Sequence, residues 1–215
     1  MYEGFQSEEE VRRICEKYDI MNWSINSEGL VDVDGDVDFH TNAERYNSIP
    51  LSEIPLKFGH VSGDFDCASN QLTSLQGAPQ FVGGDFNCAS NQLVNLIGSP
   101  RKVEGSFFCG DNKLISLEGV PEYVDGHFYC VDNNIKTLEY GPQSVSIFFY
   151  CYRNPISSVW NLISADKDKW NKDIVDLFND YDCLRGDDII INRLNSFLEE
   201  IGKPKVDSVE GYNNI

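Results

Sequence analysis

"GDFDCASNQLTSLQGAPQFVGGDFNCASNQL", residues 63–93, begins and ends with nearly the same ten residues, because GDFDCASNQL returns as GDFNCASNQL after 21 positions. The same period runs through the middle of the chain. A cysteine with phenylalanine two positions before it and asparagine three positions after it recurs at Cys67, Cys88, Cys109, Cys130 and Cys151. A fixed period of this length indicates a repeat architecture, in which each unit packs on its neighbours.

Each unit predicts one coil of a solenoid. The F-x-C alternation predicts a short strand whose phenylalanine and cysteine point inward, with successive strands stacked about 4.8 Å apart as a parallel sheet. The asparagine turns the chain, and its amide can satisfy backbone groups of neighbouring coils that would otherwise be buried unpaired. The L-x-x-L segment fills the interior, while the glycine and proline that follow steer the return.

The five repeat cysteines are interpreted as small buried hydrophobic residues. A metal site needs converging ligands at short spacings such as C-x-x-C, which a linear ladder does not supply. Cys15 and Cys183 lie outside the repeats and belong to no motif. We therefore predict no metal and no cofactor.

Charge and composition narrow the classes of function. The 215 residues include 17 basic and 35 acidic side chains, a net charge of −18. Such a surface repels nucleic acid and anionic membranes and attracts a partner with a basic or mixed surface. The acidic N-terminus and the absence of a long apolar run predict a cytoplasmic protein. The three histidines are far apart and no nucleophile motif is present, so we predict no enzyme activity.

The N-x-L-x-x-L frame after F-x-C resembles the leucine-rich repeat in its short bacterial form. It is more closely similar to a group of such proteins common in large tailed phages, with repeats of the form G-x-F-x-C-S-x-N-x-L-x-x-L-x-G-x-P-x-x-V. Similarity extends to "VDVDGDVDF", "IPLKFGHVSGDF", "NPISSVW" and "RLNSFLEEIGKP"; the fifth unit departs from the pattern, with Ile147 in place of glycine. The resemblance implies a viral origin, hence the host cytoplasm, and a protein-binding role.

The predicted fold is an α/β leucine-rich-repeat solenoid with a parallel β-sheet face and a cap at each end. Residues 1–60 form the N-terminal cap: a helix from Ser7 to about Tyr18, a hairpin turning at residues 27–29, and a degenerate coil. In that coil Val37, Phe39 and Asn42 replace Phe, Cys and Asn. Residues 61–160 form the solenoid. Residues 161–215 form a C-terminal cap of two helices, "DKDKWNKDIVDLFNDY" and "DDIIINRLNSFLEEIGKP", followed by a loosely packed tail.

Four alternate aspartates precede the repeats, at Asp32, Asp34, Asp36 and Asp38. Alternation along a strand would place all four carboxylates on one face. A calcium loop starting at Asp32 would need glycine at its sixth position and glutamate at its twelfth, where the chain has Val37 and Ala43. An acidic patch is therefore favoured over a metal site.

The outward positions of the F-x-C strands change from acidic to aromatic along the array. The acidic stretch contains Asp36, Asp38, Asp64, Asp66 and Asp85. The later stretch contains Phe108, His127, Tyr129, Phe148, Tyr150, Tyr152 and Arg153. Aromatic residues and arginine dominate the energetic centres of protein interfaces. The alternative is that the C-terminal helices cover these rings and bury them as core.

These patterns predict a non-enzymatic protein-binding module. The phage resemblance favours an accessory protein that engages a host protein, such as a defence component, through its sheet face. One alternative is an acidic decoy that mimics nucleic acid and occupies the binding site of a DNA-handling protein. A second alternative is a self-assembling structural protein whose aromatic rings form a contact between copies.

Overall fold

The structure, a computed structural model, describes residues 7–40, 50–164 and 169–215. It begins with helix α1, Glu8–Lys17, whose first turn is held by Ser7: the Ser7 hydroxyl accepts a hydrogen bond from the Glu10 N–H at 3.2 Å. An antiparallel hairpin follows, formed by β1 (Trp23–Ile25) and β2 (Val31–Val33). The predicted N-terminal helix and hairpin are confirmed at these positions.

Each repeat then contributes two short strands. In chain order these strands are β3 (Val37–Asp38), β4 (Phe58–Val61), β5 (Phe65–Asp66), β6 (Phe81–Val82), β7 (Phe86–Asn87), β8 (Lys102–Val103), β9 (Phe107–Phe108), β10 (Tyr123–Val124), β11 (Phe128–Tyr129), β12 (Ser144–Val145) and β13 (Phe149–Tyr150). The odd-numbered strands of this set are the predicted F-x-C strands. The even-numbered strands come from the segment after the proline, for which no strand was predicted.

The strands assemble into two sheets. Sheet A has the order β1-β2-β4-β6-β8-β10-β12, and all its pairings except β1 with β2 are parallel. Sheet B has the order β13-β11-β9-β7-β5-β3 and is parallel throughout. Equivalent residues of successive repeats pair in register, as Phe65 does with Phe86. The fold is therefore α/β with two parallel sheets built at the sequence period.

The core lies between the two sheets and consists of columns of identical side chains. Rings of Phe65, Phe86, Phe107, Phe128 and Phe149 stack with centroid separations of 5.5, 5.3, 5.2 and 5.2 Å. All seven cysteines are buried free thiols. Full burial of one such phenylalanine contributes roughly 1.5–3 kcal/mol. The inward direction predicted for phenylalanine and cysteine is confirmed.

The asparagine amide of each repeat, buried in Asn70, Asn91 and Asn154, ties backbone segments of neighbouring repeats together. The Asn91 Nδ2 donates to the carbonyls of Cys67, Cys88 and Ala89 at 3.0–3.2 Å, and its Oδ1 accepts from the Leu72 N–H at 2.9 Å. The equivalent asparagines of the other repeats are Asn70, Asn112, Asn133 and Asn154. The predicted role of the repeat asparagine is confirmed, while Asn42 lies outside the described residues.

A second ladder, which the sequence analysis missed, joins the turn between the two strands of each repeat. The Asp64 Oδ1 accepts from the Asp85 N–H at 2.7 Å, and the Asp85 Oδ1 accepts from the Ser106 N–H at 2.6 Å. The carboxylate fits because a glycine lies above it: a Cβ added at Gly84 would be 2.1 Å from the Asp64 Oδ1. Glycine before strands β5, β7, β9 and β11 is thus a steric requirement of this ladder.

The four alternate aspartates do not share one face, and that prediction is wrong. The chain bends at Gly35, whose φ of +141° is a conformation that side chains disfavour. Asp32 consequently lies in sheet A and Asp38 in sheet B. Asp36 joins the ladder instead, because its Oδ1 accepts from the Asp64 N–H at 2.9 Å.

The C-terminal region contains more elements than predicted. In chain order they are α2 (Ile156–Ile163), α3 (Lys172–Asp180), β14 (Leu184–Arg185), β15 (Asp188–Ile189), α4 (Ile191–Glu200) and β16 (Asn213–Asn214). Residues 187–190, predicted as the start of a helix, instead include strand β15, and the final residues are not a loose tail. Tyr212 is buried and donates its hydroxyl hydrogen to the Lys136 carbonyl at 2.6 Å.

Two tryptophans join this region to the last repeat. The ring of Trp160 lies 5.3 Å from that of Phe149, and the ring of Trp170 lies 4.7 Å from it. Trp170 precedes α3 rather than lying within it, so its inclusion in the predicted helix is wrong. Across the described residues, none of the helices combines the length and apolarity needed to cross a bilayer.

Candidate functional site

The outward side of sheet B carries the residues singled out from the sequence. Its N-terminal half contains a groove of about 290 Å³. The groove lining includes all five predicted acidic residues, Asp36, Asp38, Asp64, Asp66 and Asp85, and also Asn87 and Phe108. We call this feature the acidic groove. Because Phe108 belongs to its lining, the acidic and aromatic stretches are directly adjacent.

The carboxylates of the acidic groove are partly engaged by the backbone. Asp36, Asp64 and Asp85 each use Oδ1 in the ladder described above. Asp66 accepts from the Ala68 N–H at 2.8 Å and from the Asn87 amide at 3.1 Å. Burial raises the pKa of the Asp66 carboxyl above its ordinary value, against the opposing effect of these hydrogen bonds. The groove is therefore preorganised by the repeat backbone.

The C-terminal half of the same face is a cluster of touching rings: Phe108, His127, Tyr129, Phe148, Tyr150 and Tyr152. We call it the aromatic cluster. Phe108 and Tyr129 stack at 4.8 Å and 7°, and Tyr129 and Tyr150 stack at 4.7 Å and 17°. His127 lies 5.5 Å from Phe148 and 5.6 Å from Tyr129. Parallel pairing of β9, β11 and β13 sets these separations, since it places equivalent side chains side by side.

The aromatic cluster lies at the surface. Phe108, Tyr129, Phe148 and Tyr150 are half-buried. Tyr152 is 45% exposed. Trp160 and Trp170 instead contact Phe149, whose side chain points to the opposite, inner side of β13. The alternative in which the C-terminal helices bury these rings as core is therefore wrong.

Polar groups border the aromatic cluster. The Arg153 guanidinium contacts both carboxylate oxygens of Asp132 at 3.0 Å, and both side chains are well exposed. Among the buried side-chain nitrogen and oxygen atoms of the described residues, the His127 Nδ1 is the one without a hydrogen-bond partner. His127 is also where the ladder of side-chain oxygens ends, and Ile147 stands at the position that Gly126 has in the preceding repeat.

The site combines apolar surface with negative charge. Within residues 7–40, 50–164 and 169–215, no three His, Cys, Asp or Glu side chains converge as a metal site would require. Burial raises the pKa values of the Cys67, Cys88, Cys109 and Cys130 thiols well above the ordinary value. These thiols are protonated at neutral pH and unsuited to nucleophilic attack.

Sequence reasoning placed the outward residues in the right order but missed Asn87 and Asp132 as members of the site. Asn87 occupies the same repeat position as Asp66 and Phe108, so the period itself contains the signal. Asp132 is equivalent to Arg153 in the next repeat, and both adopt positive φ, 55° in each case. Sequence spacing alone does not indicate that conformation for aspartate or arginine.

Comparisons of the chain with protein-family models, with curated proteins and with solved structures found no match.

Proposed function

We propose that this chain is a leucine-rich-repeat solenoid that binds a protein partner on the outward side of sheet B. In this proposal residues 61–160 form the solenoid, and residues 1–60 and 161–215 cap its two ends. Terminal caps are needed because each end of a repeat array exposes an apolar face. The tryptophan contacts on Phe149 support the C-terminal cap.

The observation that carries the proposal is the aromatic cluster at the surface. Its rings remain outside the core although other aromatic residues of the same strands are fully buried. Contiguous apolar surface of this kind favours association, and tyrosine is enriched where binding energy is concentrated. The rings are also held by stacking on one another, so little side-chain entropy is lost when a partner binds.

Charge supports the choice of partner. The chain has a net charge of −18, and five carboxylates line the groove beside the rings. The negative electrostatic potential of these charges attracts a partner with a basic or mixed surface toward the groove, whereas it repels nucleic acid and anionic membranes. The proposed role is non-enzymatic: a phage accessory protein in the host cytoplasm that engages a host protein, such as a defence component.

The test is capture of a partner from host-cell lysate by wild-type protein and by the double variant Tyr129→Ala/Tyr150→Ala. We expect a discrete partner that is retained at high salt by wild type and lost by the variant. The matched control is Tyr123→Ala/Tyr140→Ala, which removes two exposed tyrosines away from the sheet B face and leaves capture unchanged. Circular dichroism checks that every variant is folded. Equal capture by both double variants would reject the sheet B face as the binding surface.

The acidic groove favours one second candidate, a decoy that occupies a nucleic-acid-binding site by charge. This candidate predicts capture of basic DNA-handling proteins at low salt, loss at high salt, and tolerance of the Tyr129→Ala/Tyr150→Ala change. Capture of no partner at either salt, with sedimentation that depends on concentration, would instead indicate self-assembly through the rings.

A further inference from the structure

Within the stack of Phe108, Tyr129 and Tyr150, Phe108 and Tyr129 differ in what covers their two faces. Tyr129 lies between Phe108 and Tyr150, with stacking separations of 4.8 and 4.7 Å, so both of its faces are occupied. Phe108 ends the stack: one face contacts Tyr129, and among the described residues no other ring contacts it. Its second face is directed toward Asn87, whose strand is the neighbour of β9 in sheet B, and Phe108 lines the acidic groove.

The groove beside this open face is negatively charged and has unused acceptor capacity. Asp64 and Asp85 each use Oδ1 to hold the next repeat, and their Oδ2 atoms have no hydrogen-bond partner within the described residues. Asn87 does not block the space with a ring, and its amide is turned back toward Asp66 and the Ala89 N–H. An aromatic face next to free carboxylate oxygens is suited to a cation that is also flat.

We propose that the open face of Phe108 is the docking position for an arginine side chain of the protein partner. The guanidinium lies flat on the Phe108 ring, and its N–H groups point to the carboxylate of Asp85. The inference deepens the proposed function, on which it rests, by naming the residue through which the partner enters the acidic groove. It also orients the partner, with arginine over Phe108 and apolar side chains over Tyr129 and Tyr150.

Arginine fits this position better than lysine. A guanidinium can stack and donate in its own plane at the same time, whereas an ammonium is a compact, strongly hydrated point charge. A cation over an exposed ring gains about 0.5–1 kcal/mol, which corresponds to a two- to fivefold change in affinity. Charge alone would attract both side chains equally, so the preference separates stacking from simple attraction.

The test uses small blocked amino acids and needs no knowledge of the partner. Titrations of ¹⁵N-labelled full-length protein with N-acetyl-arginine amide, N-acetyl-lysine amide and N-acetyl-citrulline amide are followed by backbone amide shifts. We expect arginine to shift the amides of Asp85, Asn87 and Phe108, lysine to bind about threefold more weakly, and neutral citrulline to give no saturable shift.

Two conservative variants make the result specific. Asp85→Asn keeps the oxygen that accepts the Ser106 N–H, so the repeat is retained while the charge is removed; arginine binding should weaken about threefold or more. Phe108→Leu keeps an apolar side chain without a ring face and should abolish the preference for arginine over lysine. Tyr123→Leu, on the outward side of sheet A, serves as the matched control and should bind as wild type.

Equal binding of arginine and lysine to wild type, or shifts that saturate away from the groove, would overturn the proposal. So would an arginine preference that survives in Phe108→Leu. None of these results would reject the proposed binding of a protein on the sheet B face, because that function is tested separately by partner capture with Tyr129→Ala/Tyr150→Ala. Equal capture of the partner by Tyr129→Ala/Tyr150→Ala and by its control variant, with intact arginine docking, would in turn reject the wider function and retain the arginine position.

Discussion

The two halves of the sheet B face share one backbone and carry opposite surfaces. In the N-terminal half, Phe65 and Phe86 stack inside at 5.5 Å beneath an outward pair of Asp66 and Asn87. In the C-terminal half, Phe128 and Phe149 stack inside at 5.2 Å beneath outward tyrosines. Inward residues therefore determine the geometry of a repeat, whereas the outward positions are free to determine what the face binds.

The halves also differ in how successive repeats are joined at the turn. In the acidic half, side-chain oxygens accept the N–H of the next repeat, and the ladder runs from Asp36 through Asp85 to Ser106. It ends at His127, where Ile147 replaces the required glycine. Rings that stack on each other replace these hydrogen bonds in the aromatic half. In the acidic half, the carboxylates thus hold successive repeats together and also give the face its negative charge. In the aromatic half, contacts between rings join successive repeats.

The largest predicted effect is a loss of stability in alkali to which both halves contribute equally. Burial raises the pKa values of the Cys67, Cys88, Cys109 and Cys130 thiols, so the folded state keeps protons that unfolded thiols release near pH 8.5. The stabilisation is complete below that pH and declines as pH rises. Between pH 8 and pH 10, ionisation of each of these thiols in the unfolded state should lower the free energy of unfolding by about 2 kcal/mol.

Urea denaturation at several pH values measures this loss, and paired variants compare the halves. Cys67→Ala/Cys88→Ala and Cys109→Ala/Cys130→Ala should flatten the pH dependence by similar amounts. A pair that flattens it much less than the other would show that its half opens to solvent, contradicting a common interior.

The next largest effect is expected from the asparagines that recur in each repeat. Asn91→Ala and Asn133→Ala each leave one backbone N–H, that of Leu72 or Leu114, without its partner, while the three carbonyls that lose a donor each keep another; the change should cost about 1–3 kcal/mol in the free energy of unfolding. The two values should agree within about 1 kcal/mol, because both amides make the same contacts. Asn134→Ala, an exposed neighbour, is the control and should change stability by less than about 0.5 kcal/mol.

The smallest effect is expected from exchanging the outward residues of the two halves. Phe108→Asn shortens the stack by one ring and should lower stability by about 1 kcal/mol, the usual value of an aromatic cross-strand pair. Tyr123→Asn on sheet A, where Tyr123 makes no ring contact within the described residues, is the matched control. Thermal unfolding followed by near-ultraviolet circular dichroism reports both stability and ring packing. An unchanged ring signal in Phe108→Asn would mean that the stack is not formed in solution.

Much of the repeat could be predicted from spacing because each position recurs with the same chemistry. Phe65, Cys67 and Asn70 reappear every 21 residues, and period-two alternation indicates which of them point inward. The C-terminal region was predicted less well since nothing in it repeats. Helix α2 packs on the last repeat through Trp160, and strand β15 pairs with β14 and β16; tertiary contacts of this kind override local propensity.

The order of the outward residues along the face could be predicted, but their geometry could not. Alternation placed Phe108, Tyr129 and Tyr150 outward, yet it could not indicate that their faces stack and that, among the described residues, no second ring contacts Phe108. Nor could it indicate that the aspartates of the groove support the backbone. Both features depend on the side chain in the next repeat, 21 residues away in sequence and adjacent in space.

The sequence by itself determined the period, the inward columns of phenylalanine, cysteine and leucine, and the change from acidic to aromatic residues along one face. A pattern of spacing is enough for these, because burial of apolar side chains acts at every repeat in the same way. The tertiary structure alone decided that a second sheet forms after the proline, that the chain bends at Gly35, and that the rings remain at the surface. Those outcomes depend on which atoms fit against a neighbouring repeat, and close packing between segments distant in sequence determines that fit.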